Sequence, residues 1–101
     1  MTARSLIPKK CYKIIFKVQD KDHICYFKFK NAHFDRKKQF YYIYYYSCII
    51  YTNNDDYYAD VSVDHYFTLQ STSTISSVKE KEHYREIRKY NEFFTSHDEI
   101  E

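Results

Sequence analysis

Apolar and polar residues alternate along the first part of the chain, and this pattern predicts β-strands. The stretch Tyr12–Val18 places aromatic and aliphatic side chains on one face and two lysines with an isoleucine on the other, as a half-buried strand does. After the charged turn Gln19–Asp22, the stretch His23–Lys30 repeats the pattern, so the two stretches predict a β-hairpin. Its inward-facing residues are expected to be Tyr12, Ile14, Phe16, Val18, Cys25, Phe27 and Phe29.

Two further strands are predicted in the middle of the chain. Phe40–Tyr51 is apolar on both faces, so it suits a central strand, and either Tyr41/Ile43/Tyr45 or Tyr42/Tyr44/Tyr46 could point inward. Tyr57–Leu69 alternates most regularly and is expected to have one dry and one wet side. Asn53 and Asn54 between these strands predict a turn, because asparagine tolerates the left-handed backbone conformation.

Near the C-terminus the period changes to three and four residues, which predicts a helix from Ser77 to about Phe94. Ser77 and Glu80 have the spacing of a capping box, and Tyr84, Ile87, Tyr90 and Phe94 form the expected apolar stripe. The predicted fold is therefore α+β: a four-stranded antiparallel meander with one C-terminal helix packed on one face. The predicted organisation is an N-terminal segment over residues 1–10, one domain over 11–94 and an acidic, flexible tail over 95–101.

Composition narrows the chemistry, because the chain of 101 residues contains 13 tyrosines and no glycine. Phosphate-binding loops, dinucleotide fingerprints and nucleophile elbows all need glycine where a Cβ atom would obstruct the backbone. Those motifs are excluded, and no cofactor is expected. Thirteen tyrosines also exceed what one small core can hold, so several are expected at the surface.

Charge is distributed unevenly along the chain. Residues 1–40 contain 11 lysines and arginines against three acidic residues, whereas residues 41–101 contain five against 11. Lysines that neutralise phosphates beside aromatic rings that stack on bases are typical of single-strand nucleic-acid binders. The candidate nucleic-acid-binding residues are Lys13, Lys17, Tyr26, Lys28 and Lys30 of the hairpin, with Arg36, Lys37 and Lys38 of the basic loop Asn31–Gln39. An ordinary solvated sheet face is the alternative.

The tyrosine cluster at residues 41–46 favours protein binding, because tyrosine gives a large contact area at a small loss of side-chain entropy. The candidate protein-binding residues are Tyr41, Tyr45, Tyr58 and Tyr66. A core built from tyrosine and a homodimer that buries this face are the alternatives.

No catalytic or metal-binding constellation is predicted. Cys11, Cys25 and Cys48 are widely spaced, unlike the close pairs of structural zinc sites, and are interpreted as reduced thiols of a cytoplasmic protein. Asp64 and His65 are neighbours on a strand, so their side chains point to opposite faces and cannot act together. The protein is therefore expected not to be an enzyme.

Location and origin are inferred from composition. Met1–Lys10 lacks the apolar region of a signal peptide, and the longest apolar run, about 12 residues, is shorter than a membrane span of about 20. Abundant Tyr, Lys, Ile, Asn, Asp and Phe are typical of AT-rich coding. The expected function is that of a small cytoplasmic accessory protein of a virus or mobile element, which binds and modulates a larger protein partner. The alternative is single-stranded nucleic-acid binding.

Overall fold

A five-stranded antiparallel sheet with one helix forms the part of the protein described by a computed structural model, residues 1–52 and 66–98. A short 3-10 turn, Ala3–Ser5, precedes the sheet. The elements that follow are β1 (Cys11–Val18), β2 (Lys21–Asp35), β3 (Phe40–Thr52), β4 (Tyr66–Gln70), β5 (Ser76–Val78) and α1 (Glu80–Asp98), and the strands lie in the order β4-β3-β2-β1-β5.

The α+β class is confirmed, but the sheet has five strands where the sequence predicts four. The additional strand β5 lies in the serine- and threonine-rich segment and pairs with the outer edge of β1. Ser77, predicted to cap the helix, is part of this strand and pairs with Tyr12. The helix starts one turn later, where the amide of His83 donates to the carbonyl of Lys79. Most of the predicted strand Tyr57–Leu69, including Tyr58, and the predicted Asn53–Asn54 turn lie outside the described residues.

Turns form here without glycine, because other residues adopt the left-handed conformation. Gln19 and Asp20, with φ of 52° and 64°, form the two-residue connection between β1 and β2 where asparagine and glycine are usually preferred. Strand β2 continues to Asp35, so the predicted basic loop shrinks to the turn at residues 36–39. In that turn the Asp35 carboxylate accepts hydrogen bonds from the amides of Lys37 and Lys38 at 3.0 Å.

The core lies on one face of the sheet, and the N-terminal segment covers it. Ala3 and Leu6 from that segment and Ile75 from the β4–β5 connection pack against the buried side chains of β1–β4. The backbones of Met1 and Ile75 exchange hydrogen bonds of 2.8 and 2.9 Å, and the Phe29 amide and carbonyl bond to Lys10 and Lys9. The strand residues of this core are Tyr12, Ile14, Cys25, Phe27, Phe29, Tyr41, Ile43, Tyr45 and Leu69.

Helix α1 lies on the other face of the sheet, opposite the core. Its buried residues are His83 and Glu86, while Tyr84, expected in the buried stripe, is 40% exposed. The buried stripe therefore begins one residue earlier than predicted, and the sheet beneath the first helical turns offers the polar partners Ser47 and Lys28. Ile87 is half-buried, and the side chains beyond residue 89 are outside the described part of the helix.

Candidate functional site

The pairing of β2 with β3 decides which tyrosines reach the surface. Residues on the two strands pair with a constant register on both sides of Phe29, but the register shifts twice around Phe29 itself. Tyr46 on β3 and Lys30 on β2 are each left without a cross-strand partner in this ladder. The unpaired residue on each strand switches the side of the sheet that the following side chains of that strand face. Because both strands switch at the same level, the core face stays continuous.

The consequence for β3 is that its inward residues come from both of the alternating sets considered in the sequence. Tyr41, Ile43 and Tyr45 face the core at 9%, 0% and 7% exposure. Cys48 and Ile50, which belong to the other set, pack against the same core. The Arg4 side chain donates a hydrogen bond to the Tyr41 hydroxyl at 3.2 Å, which satisfies one buried polar group. Protein binding through Tyr41 and Tyr45 stays a prediction, and their burial leaves little surface for a partner.

Four aromatic residues on the helix side of the sheet form a cluster that we call the tyrosine face: Phe40, Tyr42, Tyr44 and Tyr66. Tyr42 is at its centre, with ring centroids 5.1 Å from Phe40 and 5.6 Å from Tyr66, both edge to face. Tyr44 lies 5.7 Å from Tyr66. All four are half-buried, so their mutual contacts hold the rings in place while part of each ring remains accessible. Of the predicted binding tyrosines within the described residues, Tyr41, Tyr45 and Tyr66, only Tyr66 is part of this face.

Cations surround the tyrosine face. The Lys30 ammonium lies 5.6 Å from the ring of Tyr46, which is 51% exposed, and the Lys38 ammonium lies 5.9 Å from the ring of Phe40. Arg36 and Lys37 are exposed in the adjoining turn, whose Asp35 is the one acidic residue of the segment 30–38. The tyrosine face is therefore bordered by positive charge.

The predicted nucleic-acid-binding residues do not form one surface. Tyr26 is 4% exposed and stacked on Tyr51, with the Lys13 ammonium 5.6 Å from its ring. Lys17 lies near the β1–β2 turn, whereas Arg36 lies beyond the other end of β2, on the order of 40 Å away at the usual rise of a strand. The set divides into three groups: Lys13 and Lys17 on β1, Tyr26 and Lys28 in the middle of β2, and Lys30, Arg36, Lys37 and Lys38 near the tyrosine face.

A polar cluster joins helix α1 to the sheet. The Lys28 ammonium donates to the Tyr84 hydroxyl at 3.0 Å and to the Glu80 carboxylate at 3.1 Å. These two hydrogen bonds, that to Tyr84 first, raise the pKa of Lys28. The exposed Glu80 makes this ion pair a modest contribution to stability, since solvent screens such pairs.

His83 is the most deeply buried member of this cluster. Its Nε2 lies 2.7 Å from the Ser47 hydroxyl, and its Nδ1 has no hydrogen-bond partner among the described residues. Burial, and secondarily the nearby charge of Lys28, lower the pKa of His83 to about 4. A serine beside a histidine resembles a nucleophile–base pair, but catalytic pairs also use an orienting group on the second ring nitrogen. The contact is better explained as a structural one that holds the helix on the sheet.

Two of the three cysteines, Cys11 and Cys25, are buried away from water. Cys25 is 1% exposed and its Sγ lies 3.5 Å from Sγ of Cys48, while Cys11 is 4% exposed. The thiol contact with Cys48, followed by burial, raises the pKa of Cys25 well above its usual range, and burial raises that of Cys11. Protonated thiols are poor nucleophiles and poor metal ligands. Within residues 1–52 and 66–98, no three His, Cys, Asp or Glu side chains converge on one point.

No protein-family model matches the chain, and no curated protein or solved structure is significantly similar to it. Among the described residues, no helix combines the length and the apolar character needed to span a membrane. The support for the candidate site is therefore the geometry of the described residues.

Sequence reasoning missed Ser47 and His83, although one signal was present. His83 lies four residues before Ile87, so the two share a helical face, and a histidine there is compatible with burial. Ser47 carried no comparable signal, because a serine within an apolar strand is unremarkable until the partner helix is positioned.

We expect stability to fall as the pH decreases from about 6.5 to 4, in part because of His83. Its pKa in the folded protein lies below the value of 6.5 for a free histidine, so the unfolded chain binds the proton more readily. The stability from neutral His83 is therefore complete above pH 6.5 and is lost toward pH 4. Urea unfolding at pH 7 and pH 5 should differ by on the order of 1 kcal/mol more in wild type than in His83→Gln.

The exposed His33 supplies the matched control for removal of one imidazole. His33→Gln should retain the wild-type difference between pH 7 and pH 5. An equal pH dependence in wild type and His83→Gln would show that His83 is not held neutral at the helix–sheet contact.

Proposed function

We propose that this protein is a non-enzymatic binding protein whose tyrosine face contacts a larger protein partner. The observation that supports this most strongly is the half-buried cluster of Phe40, Tyr42, Tyr44 and Tyr66 beside the exposed Tyr46. The tyrosine face lies on the same side of the sheet as α1, which contacts β3 at Ser47. Tyrosine and other aromatic residues are the side chains that contribute most to protein interfaces.

Preorganisation of the rings supports the proposal. Tyr42 contacts Phe40 and Tyr66 edge to face, and His33 stacks on it at 6.2 Å. A partner that binds these rings would therefore immobilise few side chains that are free in the unbound protein. Low entropic loss on binding is one reason tyrosine-rich surfaces bind proteins well.

The charges around the face define the chemistry of the partner. The ammonium groups of Lys30 and Lys38 lie near the rings of Tyr46 and Phe40, and Arg36 and Lys37 are exposed in the adjoining turn, whereas the Asp35 carboxylate accepts a hydrogen bond from the Tyr42 hydroxyl at 3.5 Å. A partner surface with carboxylates at its rim and apolar groups at its centre would complement this arrangement in both charge and polarity. We propose that the partner is modulated by this contact, and that the protein acts in the cytoplasm as an accessory protein of a virus or mobile element, which its small size and AT-rich composition support.

The test is the affinity for a partner purified with the wild-type protein from a native extract. Tyr44→Ala combined with Tyr46→Ala should weaken binding at least about 10-fold, because truncating one tyrosine of the face and its exposed neighbour removes well over 1 kcal/mol. Calorimetry or biolayer interferometry with the purified partner measures the change. Tyr84→Ala, which removes a tyrosine of comparable exposure beside the first turns of α1, is the matched control. Equal affinities for the double variant and the control would contradict the proposal.

Single-stranded nucleic-acid binding is the second candidate, favoured by the lysines beside the aromatic rings. Base stacking needs a free ring face, however. Here His33 stacks on Tyr42, and lysine ammonium groups lie near the rings of Tyr46 and Phe40. These contacts occupy surfaces that bases would need, which is why protein binding is preferred.

Salt titration with a labelled single-stranded oligonucleotide distinguishes the second candidate from the first. If nucleic acid is the ligand, affinity should fall steeply with salt, and Lys30→Gln combined with Lys38→Gln should reduce the slope by about two contacts. The control is Lys21→Gln, at the far end of β2. Absence of binding at about 20 mM salt would eliminate this candidate.

A further inference from the structure

Among residues 1–52 and 66–98, the outer edge of β1 is paired over Cys11–Lys13 only, and we call the remainder its free edge. On its outer side β5 pairs only with Cys11–Lys13, and no other strand of the described residues pairs with the outer edge of residues 14–18. A free edge presents unpaired amides and carbonyls that can accept another strand. Ile75, directly before β5, is buried in the core, and Thr74 lines the cavity beside Ile15.

Two apolar side chains are exposed at this edge. Ile15 is 58% exposed on the helix side of the sheet, and Phe16 is 37% exposed on the core side. Proteins usually protect free edges with charged residues and keep such side chains away from them. Lys13 and Lys17 fit that protective role, but the exposed Ile15 between them does not.

A cavity adjoins the edge on each side of the sheet. On the helix side, a cavity of about 420 Å³ is lined by Lys13 and Ile15 of β1, with Val78 and Glu82 opposite. On the core side, a cavity of about 470 Å³ is lined by Ile14, Phe16 and Lys17 of β1 and by residues of β2, β3, β4 and the β4–β5 connection, so it extends over the core face of the sheet. Successive side chains of a strand point to opposite faces, so an added strand would place alternate residues beside Ile15 on the helix side and beside Phe16 on the core side.

The charged side chains on the helix side of the sheet indicate which residues an added strand would need. Lys17 is at one end of this face, and the cross-strand neighbour Asp22 makes no ion pair with it in the described structure. Glu82 lies in the cavity at the other end, beside Ile15. A carboxylate is therefore favoured opposite Lys17 and disfavoured near Glu82, where an apolar residue matches Ile15.

A second copy of the chain is less complementary to this edge than a strand with a carboxylate opposite Lys17. In an antiparallel two-fold pairing of two β1 edges, the residues opposite each other face the same side of the sheet. Registers centred on this edge place Lys17 against Lys17, Lys13 or Ile15 of the other copy. None of these pairs a lysine with a carboxylate.

We propose that the free edge of β1 binds an extended segment of a protein partner, which adds to the sheet in line with β5 and antiparallel to β1. The segment has an acidic residue opposite Lys17, an apolar residue opposite Phe16 and another opposite Ile15. This edge is separate from the tyrosine face, and its occupation does not depend on the function proposed for that face.

The test uses a fluorescein-labelled, end-capped peptide of sequence Thr-Glu-Val-Ile-Thr, which has this pattern in the antiparallel direction. Fluorescence anisotropy should show saturable binding with Kd between about 10 μM and 1 mM, the range expected for a few main-chain hydrogen bonds and two side-chain contacts. Ile15→Glu should weaken binding at least about 10-fold. Ile7→Glu, which changes an isoleucine with 56% exposure in the N-terminal segment, should not. A peptide with lysine in place of glutamate should bind at least about five-fold more weakly.

Hydrogen exchange locates the bound peptide. The amides of residues 14–18 that point away from β2 should exchange more slowly when the peptide is bound, since carbonyls of an added strand accept their hydrogen bonds. No saturable binding up to about 5 mM peptide, equal effects of Ile15→Glu and Ile7→Glu, or protection confined to the tyrosine face would each overturn the proposal. A wild-type dimer that becomes monomeric with Ile15→Glu would also overturn it, because a second copy would then occupy the edge.

Discussion

The pairing between β2 and β3 is the interaction on which the rest of this structure depends. It joins the two longest strands, and β1 and β4 add to its two sides. Its two compensating register shifts, at Lys30 and Tyr46, exchange inward and outward positions on both strands at the same level. Without this exchange, the face that holds Cys48 and Ile50 in the core would bring Tyr42 and Tyr44 inward as well.

The two faces of the sheet are consequently covered in different ways. The core face is closed by the N-terminal segment and Ile75, which supply small and aliphatic side chains. The other face is covered at one end by helix α1 through polar contacts such as Ser47–His83 and Lys28–Glu80. Nearer the start of β3, the same side of the sheet presents the tyrosine face. One sheet thus supports a dry core, a polar helix contact and an aromatic surface bordered by cations.

Periodicity predicted the elements whose alternation is local, namely β1, the first half of β2, β3 and the helix. It did not predict the continuation of β2 through Asn31–Asp35, because the bulge at Lys30 breaks the alternation there. It could not choose the inward side of β3, since both sets are apolar and the correct answer combines them. Strand β5 was missed because three residues of a serine-rich segment become a strand only when β1 provides a partner.

The candidate site was predictable in kind but not in position. Tyr66, from the predicted protein-binding set, lies in the tyrosine face, and Lys30 and Lys38, from the predicted nucleic-acid-binding set, lie near Tyr46 and Phe40. Tyr41 and Tyr45 are buried instead of Tyr42 and Tyr44, because the bulge exchanges the inward-facing and outward-facing positions of β3. Lys28 and Tyr26 are engaged by groups distant in sequence, Tyr84 and Tyr51, which no local pattern reveals.

Hydroxyl-radical footprinting of the native protein, with residue-level mass spectrometry, tests most directly which tyrosines of β3 face the core. All the tyrosines concerned lie between residues 41 and 46, so they share one region of sequence and differ only in the side of the sheet they face. Oxidation of Tyr42, Tyr44 and Tyr46 should be several-fold faster than that of Tyr41 and Tyr45, which should be as protected as Tyr12. Faster oxidation of Tyr41 and Tyr45 than of Tyr42 and Tyr44 would contradict the register and the tyrosine face that depends on it.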